Sequence, residues 1–217
     1  MVFAVFVAGV VAGRLGASVL RAARRGAPPP PWCCEVGVAA LWAAAALPAP
    51  PWWWLPVPLA VGWFGVLLAV CDVRARRLPD VLTLPIGPVL AVLLAFVAPH
   101  RPGVLVGAVV GVVLFGGTYL LVRAAVPAAL GAGDVKLALG LGAAVGAVVW
   151  WAVLVVVLVA AGLTLLAARR CARVPHGPAM LAPAWVVTAF PELLANVPPA
   201  GSAVGSSWQD LQVCCVG

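Results

Sequence analysis

The chain has 217 residues, of which 65% are hydrophobic and only 9% are charged, with a formal net charge of +7. Soluble domains average about 45–50% apolar and about 25% charged residues, so this composition excludes an ordinary soluble enzyme, a disordered chain, collagen and a secreted disulfide scaffold. The apolar runs are continuous rather than alternating, which disfavours a transmembrane β-barrel. The sequence therefore predicts an all-α, polytopic transmembrane helical bundle.

A helix needs about 20 apolar residues to cross a bilayer, so about eight spans are the upper limit for this length. The first apolar run precedes any positive charge, unlike the start of a cleavable signal peptide, and it is interpreted as a span. The second run is scarcely long enough to cross, which leaves seven spans as the alternative. In chain order the expected spans are residues 2–20, 36–50, 52–71, 81–98, 104–122, two within 137–168, and 179–195.

The run over residues 137–168 contains no charge. As one helix it would rise about 48 Å, well beyond a hydrocarbon core of about 30 Å. We therefore expect a break near Trp150 and Trp151. A second tryptophan cluster, residues 52–54, is expected at the level of the lipid headgroups.

Basic residues lie in short clusters between the apolar runs rather than on one face of a folded domain, so no nucleic-acid partner is expected. Basic residues near span ends favour the cytoplasm. Membrane lipids are the expected surroundings of the bundle. If the amino terminus lies outside the cell, 11 of the 13 basic residues lie on the cytoplasmic side: Arg21, Arg24, Arg25, Arg74, Arg76, Arg77, Arg123, Lys136, Arg169, Arg170 and Arg173.

Residues 1–196 are expected to form a single integral-membrane domain, and the small, polar residues 197–217 a flexible tail. The six cysteines do not form a disulfide framework, because several fall on the reducing cytoplasmic side. Their expected positions are the first loop for Cys33 and Cys34, the end of the third span for Cys71, a cytoplasmic loop for Cys171, and the tail for Cys214 and Cys215.

Two acidic residues lie at the edges of apolar runs. Asp72 directly follows the third expected span, and Asp134 closely precedes the sixth. An ionised carboxylate is costly at the edge of the hydrocarbon, which makes each a functional candidate. Two crossings separate them, so both belong on the same face of the membrane. Converging carboxylates cannot easily both ionise, and such a pair can activate a water for attack on a peptide carbonyl without a metal.

Asp134 also has a purely structural interpretation. It follows Gly131 and Gly133, whose backbone freedom and small size permit unusual torsions and a close approach of another segment. A carboxylate at this position can simply cap the sixth helix, where the helix dipole favours negative charge. Lys136 is either an anchor at the membrane interface or a group that polarises Asp134.

Asp72 likewise has a structural alternative, in which it pairs with Arg74 or Arg76. Asp80 follows Pro79 and has the position of an amino-terminal cap for the fourth span. The residues alone therefore leave a catalytic and a structural role open for each acid.

Three sequence stretches in combination carry a family resemblance. Asp72 is followed by RARRLPDVLTLP, Asp134 lies in GAGDVKLALGLGAAVG, and VPHGPAMLAPAW precedes the end of the last span. Over about residues 60–190 the chain resembles the type IV prepilin peptidases, intramembrane aspartic proteases of the GxGD class. The resemblance implies that Asp72 and Asp134 are the catalytic pair. It also implies that the site is shaped by Gly131, Gly133, Lys136, Pro79 and Asp80.

The same resemblance implies the reaction and its place. Members remove a short basic leader from type IV pilin-like precursors at the cytoplasmic face of the bacterial plasma membrane. The cleaved proteins function in type IV pili and in protein secretion. Larger members carry a cytoplasmic insertion with two CxxC pairs and also methylate the new amino terminus. Here the first loop holds only the adjacent Cys33 and Cys34, whereas tetrahedral zinc takes four ligands. The chain resembles the short, peptidase-only form, and no cofactor or metal is expected.

His176 is a departure from the family pattern, because a bulky apolar or aromatic residue is expected before the Gly-Pro pair. His100 and His176 are expected on opposite sides of the membrane, so they cannot share a site. Two alternatives to the peptidase remain open. One is a small membrane transporter or scaffold whose acids bind cations or hold helices together, and the other is an inactive relative that only binds pilin-like segments.

Overall fold

The computed structural model describes residues 1–23, 28–75, 79–127, 130–169 and 176–195. Throughout these ranges the chain is α-helical, without a strand, as its composition predicts. The expected tail at 197–217 lies outside the described residues, as do Arg76, Cys171, Cys214 and Cys215. Four helical segments are long and apolar enough to cross a membrane, namely Val2–Ala22, Pro56–Ala75, Asp80–Val97 and Val104–Ala125, and two apolar helices are shorter, namely Cys33–Ala46 and Ala152–Ala168. The chain is therefore built as a multi-pass membrane protein.

The helices follow the order of the expected apolar runs. In chain order they are α1 (Val2–Ala22), α2 (Cys33–Ala46), α3 (Pro56–Ala75), α4 (Asp80–Thr83), α5 (Ile86–Val97), α6 (Val104–Gly111), α7 (Gly117–Ala125), α8 (Ala132–Val148), α9 (Ala152–Ala168), α10 (His176–Ala189) and α11 (Glu192–Ala195). A π-helical turn, Val112–Gly116, joins α6 to α7 without interruption. The predicted break near Trp150 and Trp151 is confirmed, because α8 ends at Val148 and α9 begins at Ala152.

Several expected boundaries are wrong in the same way. α3 runs on to Ala75, so Asp72 lies in its last turn rather than after it, and α8 begins at Ala132, so Asp134 lies in its first turn. The last expected span, 179–195, also differs in its bounds, because α10 includes residues from His176 onward and ends at Ala189. An apolar run marks the hydrocarbon, whereas a helix continues for as long as its backbone hydrogen bonds do, so charged residues can extend it at either end.

Two further features differ from the prediction: the fourth span is divided at a proline, and one tryptophan before the third span is buried. Residues 81–98 are divided into α4 and α5 at Pro85, which has no amide hydrogen to continue the helix. Trp54 does not face the lipid headgroups, because it is 0% exposed and its indole Nε1 donates to the Thr188 carbonyl at 2.9 Å. α3 begins only at Pro56, so the preceding turn folds this side chain into the core.

Glycines bring α6 directly against α8. A Cβ atom at Gly146 would lie 2.7 Å from the Gly111 Cα atom, and one at Gly111 would lie 2.8 Å from the Gly146 Cα atom. Gly107 and Gly142 belong to the same contact. Small residues permit such backbone approach in membrane bundles, where lipid offers no hydrophobic driving force for association. α10 packs against α3, α8 and α9, so the end of α3 and the starts of α8 and α10 meet at one end of the bundle.

Candidate active site

Asp72 is held by the start of α10. Its side chain is buried with 8% exposure, and its Oδ2 accepts a hydrogen bond of 2.8 Å from the Gly177 backbone amide. Gly177 lies in the first turn of α10, where amides have no partner within the helix. A buried acid in the last turn of α3 is thereby oriented by a helix start more than 100 residues away along the chain.

Asp134 is held by its own helix start. Its Oδ2 accepts a hydrogen bond of 3.1 Å from the amide of Gly131, the N-cap residue of α8. The predicted capping by Asp134 is confirmed, although it acts from the third residue after the cap. The carboxylate thus has a fixed orientation and also lies where the helix dipole favours negative charge.

The expected unusual torsions at Gly131 and Gly133 are wrong. Gly131 has φ −70° and ψ 152°, which any residue adopts, and Gly133 lies within α8. Among the described glycines the positive φ belongs to Gly103. What Gly131 provides is space, because a Cβ atom there would lie 3.0 Å from the Asp134 Oδ2.

Asp72 and Asp134 are brought to the same end of the bundle and interact electrostatically. The chain makes two passes between them, first through α4 and α5 and then from α6 to α7. Arg123 also acts on Asp134, and its guanidinium Nη1 donates to the Leu130 carbonyl at 2.8 Å. The acids therefore lie in a common electrostatic environment that includes a fixed positive charge.

The sequence marked His176 only as a departure from the family pattern and predicted no role for it in the site. Its ring interacts electrostatically with both Asp72 and Asp134. Its Nε2 lies 3.0 Å from the Tyr119 hydroxyl oxygen, and its Nδ1 lies 2.7 Å from Thr164 Oγ1. A signal was present in the sequence, because Tyr119 is the single tyrosine of the chain and Thr164 is an isolated hydroxyl in an apolar run.

Asp80 and Lys136 form an ion pair at the margin of the site. Pro79 is the N-cap residue of α4, and Asp80 is its first residue. The expected N-cap position of Asp80 is therefore wrong by one residue. Instead its Oδ1 lies 2.8 Å from Lys136 Nζ, which ties α4 to the first turn of α8.

We expect this ion pair to contribute little to stability. The side chains of Lys136 and Asp80 are 40% and 51% exposed, and exposed pairs are worth about 0.2–1 kcal/mol. A double-mutant cycle of Asp80→Asn and Lys136→Met, followed by thermal unfolding in detergent, should give a coupling energy in that range. A coupling above about 2 kcal/mol would show that the pair is effectively shielded from solvent.

Gly177 has no room for a side chain. A Cβ atom there would lie 3.0 Å from the Asp72 Oδ2 and 3.5 Å from its Cγ, so Gly177→Ala must displace the carboxylate or the start of α10. We expect an activity that depends on Asp72 to fall by about tenfold, because a misplaced group of this kind costs up to about 10² in rate. The matched control is Gly162→Ala in α9, where a Cβ atom meets nothing within 4 Å. Equal activity of the two variants would contradict the expectation.

Within the described ranges, no three side chains of His, Cys, Asp or Glu are grouped to hold a metal ion. His100 lies at the opposite end of the bundle from His176, stacked on Trp53 with a ring-centroid distance of 5.5 Å. Cys33 is exposed, whereas Cys34 and Cys71 are buried. What the site offers chemically is therefore a pair of carboxylates and one imidazole.

Comparison with known proteins gives one family. The model of the type IV leader peptidase family matches residues 59–168, which is half of the chain and contains both Asp72 and Asp134. No curated protein and no solved structure matches. The match ends before His176 and Gly177, so family membership says nothing about these two residues. By its sequence the chain belongs to the type IV leader peptidase family, the aspartic-type prepilin peptidases.

Proposed function

We propose that this protein removes the leader peptide from type IV pilin-like precursors, with Asp72 and Asp134 as the water-activating pair. One observation carries the proposal: a buried carboxylate in the last turn of α3 and a half-buried one in the first turn of α8 lie at the same end of the bundle, where α10 packs against both helices. Family membership supports the substrate class. The shared environment supports joint chemistry rather than two separate structural roles.

The chemistry follows from two carboxylates that share one proton. The ionised carboxylate accepts a proton from water as the water attacks the peptide carbonyl, and the protonated one donates a hydrogen bond to the carbonyl oxygen. The carboxyl group that took the proton from water then gives it to the leaving amine as the peptide bond breaks. Backbone amides of Gly177 and Gly131 each fix one carboxylate, so the pair is oriented before substrate binds. Positioned acid–base catalysis typically contributes about 10²–10⁴-fold.

The proposal includes a topology of eight crossings with the amino terminus outside. It is supported by the order of the helices and by the basic clusters, which then face the cytoplasm together with Asp72 and Asp134. α2, α8, α9 and α10 have 14, 17, 17 and 14 residues, so they are the crossings that need local thinning of the bilayer or neighbouring helices for cover. Residues 1–196 are proposed as one membrane domain. Labelling of single introduced cysteines with a membrane-impermeant thiol reagent tests each loop.

Co-expression with a pilin-like precursor tests the activity. In a host without a prepilin peptidase, we expect the precursor to shorten on a gel and its new amino terminus to follow the leader. If the precursor binds but stays intact, the chain is an inactive pilin-binding relative. If it neither binds nor is cut while the protein is inserted and folded, a transporter or scaffold is favoured.

Cross-linking tests the pairing of the acids without relying on activity. Asp72→Cys and Asp134→Cys are combined in a chain whose native cysteines are replaced by alanine, and a short bifunctional thiol reagent is added. We expect one intramolecular cross-link in the folded protein. A control that combines Asp72→Cys with Glu192→Cys should not cross-link, because α11 packs near Trp54 at the other end of α3.

A further inference from the structure

His176 lies at the centre of a hydrogen-bonded chain that joins three helices, α7, α9 and α10. Thr164 Oγ1 donates to the Ala160 carbonyl at 2.8 Å, within α9. A hydroxyl has a single proton, so the Thr164 oxygen must accept from the His176 Nδ1, which lies 2.7 Å away. The hydrogen bonds thus assign the proton to Nδ1 in the neutral imidazole.

The second ring nitrogen completes this arrangement. With Nδ1 protonated, Nε2 of a neutral imidazole is an acceptor, and the Tyr119 hydroxyl donates to it over 3.0 Å. Tyr119 is 6% exposed and packs on the ring of Phe115. Both nitrogens of a half-buried ring are therefore satisfied by hydroxyls from α7 and α9, which fixes the ring in position and orientation.

This fixed ring is directly linked to the active-site pair. The residue after His176 is Gly177, whose amide donates to the Asp72 Oδ2 at 2.8 Å. Anchoring the imidazole thus anchors the amide that orients Asp72. The charged and titratable groups that face the ring are Asp72 from α3, Asp134 from α8 and Tyr119 from α7.

We propose that His176 is a positioning residue of the peptidase, held by Tyr119 and Thr164, which presents the Gly177 amide to Asp72 and tunes how many protons the two carboxylates hold. This rests on the proposed role of Asp72 and Asp134. When the imidazole becomes charged at low pH, its positive charge opposes protonation of the second carboxylate. The working state of the pair, with one shared proton, then persists to lower pH than it would beside an uncharged residue.

The test compares variants of the full-length protein in detergent, with a pilin-like precursor that the unmodified chain cleaves. Thr164→Val and Tyr119→Phe each remove one hydroxyl with little change of shape. We expect each to lower kcat by about tenfold and to leave KM within about twofold, because each loses one buried hydrogen bond that orients the pair. Thr118→Val is the matched control, since Thr118 Oγ1 bonds the Leu114 carbonyl of its own turn at 2.6 Å and is exposed.

His176→Gln provides the decisive measurement. Glutamine can accept from Tyr119 but cannot become charged, so we expect the acid limb of the kcat/KM profile to move to higher pH. Adding Thr164→Val to His176→Gln should cause no further loss, because the threonine acts through the imidazole. A uniform fall in rate with an unchanged pH profile, or additive losses in the double variant, would overturn the positioning role. His100→Gln controls for the loss of a histidine elsewhere.

The outcome separates this inference from the proposed function. If Asp72→Asn abolishes cleavage but His176→Gln retains the unmodified kcat and pH profile, the role of His176 is overturned and the peptidase stands. If Asp72→Asn still cleaves, the proposed function itself fails. Should His176→Gln not fold, Thr164→Val and Tyr119→Phe carry the test, and full activity of both with an unshifted acid limb overturns the inference.

Discussion

Asp72→Asn and Asp134→Asn are each expected to lower the rate of leader removal by about three orders of magnitude or more, in a protein that still inserts and folds. Asparagine has nearly the shape of aspartate but cannot take a proton from water or supply one to the leaving amine. General acid–base catalysis by one positioned group typically contributes about 10²–10⁴-fold, and in the proposed mechanism the two groups act as a unit. Gel analysis of the precursor over a time course measures the loss.

The matched control for these variants is Glu192→Gln. Glu192 is an exposed carboxylate in α11, so this change removes one negative charge far from the pair and should leave the rate unaffected. Because the two acids share one function, the double variant should be no slower than either single one. If Asp72→Asn or Asp134→Asn keeps a rate within tenfold of the unmodified chain, the pair does not perform the chemistry.

The helices and their order could be read from the sequence, because an apolar run of sufficient length has few alternatives in a membrane. The ends of the helices could not. Asp72 and Asp134 were expected outside their spans and lie inside α3 and α8. The difference matters for function, since a residue within a helical turn has a defined direction and an amide partner, as both acids do here.

The candidate site was likewise predicted only in part from the sequence. The count of crossings was enough to expect both acids on one face, and the structure places them at one end of the bundle. The count of crossings could not predict that Tyr119, Thr164 and His176 belong to the site, because their contacts join α7, α9 and α10 across long stretches of chain. The sequence offers one indication, an isolated polar residue in an apolar run. Such residues are candidates for the site, but the sequence does not show which of them contact each other.

Gly111→Val is expected to be among the most destabilising single changes in the bundle. A Cβ atom at Gly111 would lie 2.8 Å from the Gly146 Cα and 2.9 Å from the Gly142 carbonyl carbon, and would also meet the Gly142 oxygen. These are backbone atoms, which cannot rotate aside, so α6 and α8 must separate along their contact. Overpacking typically costs about 1–3 kcal/mol, and loss of the adjoining contacts brings our expectation to about 3 kcal/mol or more.

Gly117→Val tests this explanation within the same continuous helix. It adds the same side chain at a glycine whose Cβ position meets nothing within 4 Å, so it shares the lower helix propensity of valine but not the collision. We expect Gly111→Val to unfold at a clearly lower temperature in detergent and to lose cleavage activity in proportion, because α8 also carries Asp134. Equal stability of the two variants would mean that the close approach of α6 and α8 does not hold the site-bearing helix in place.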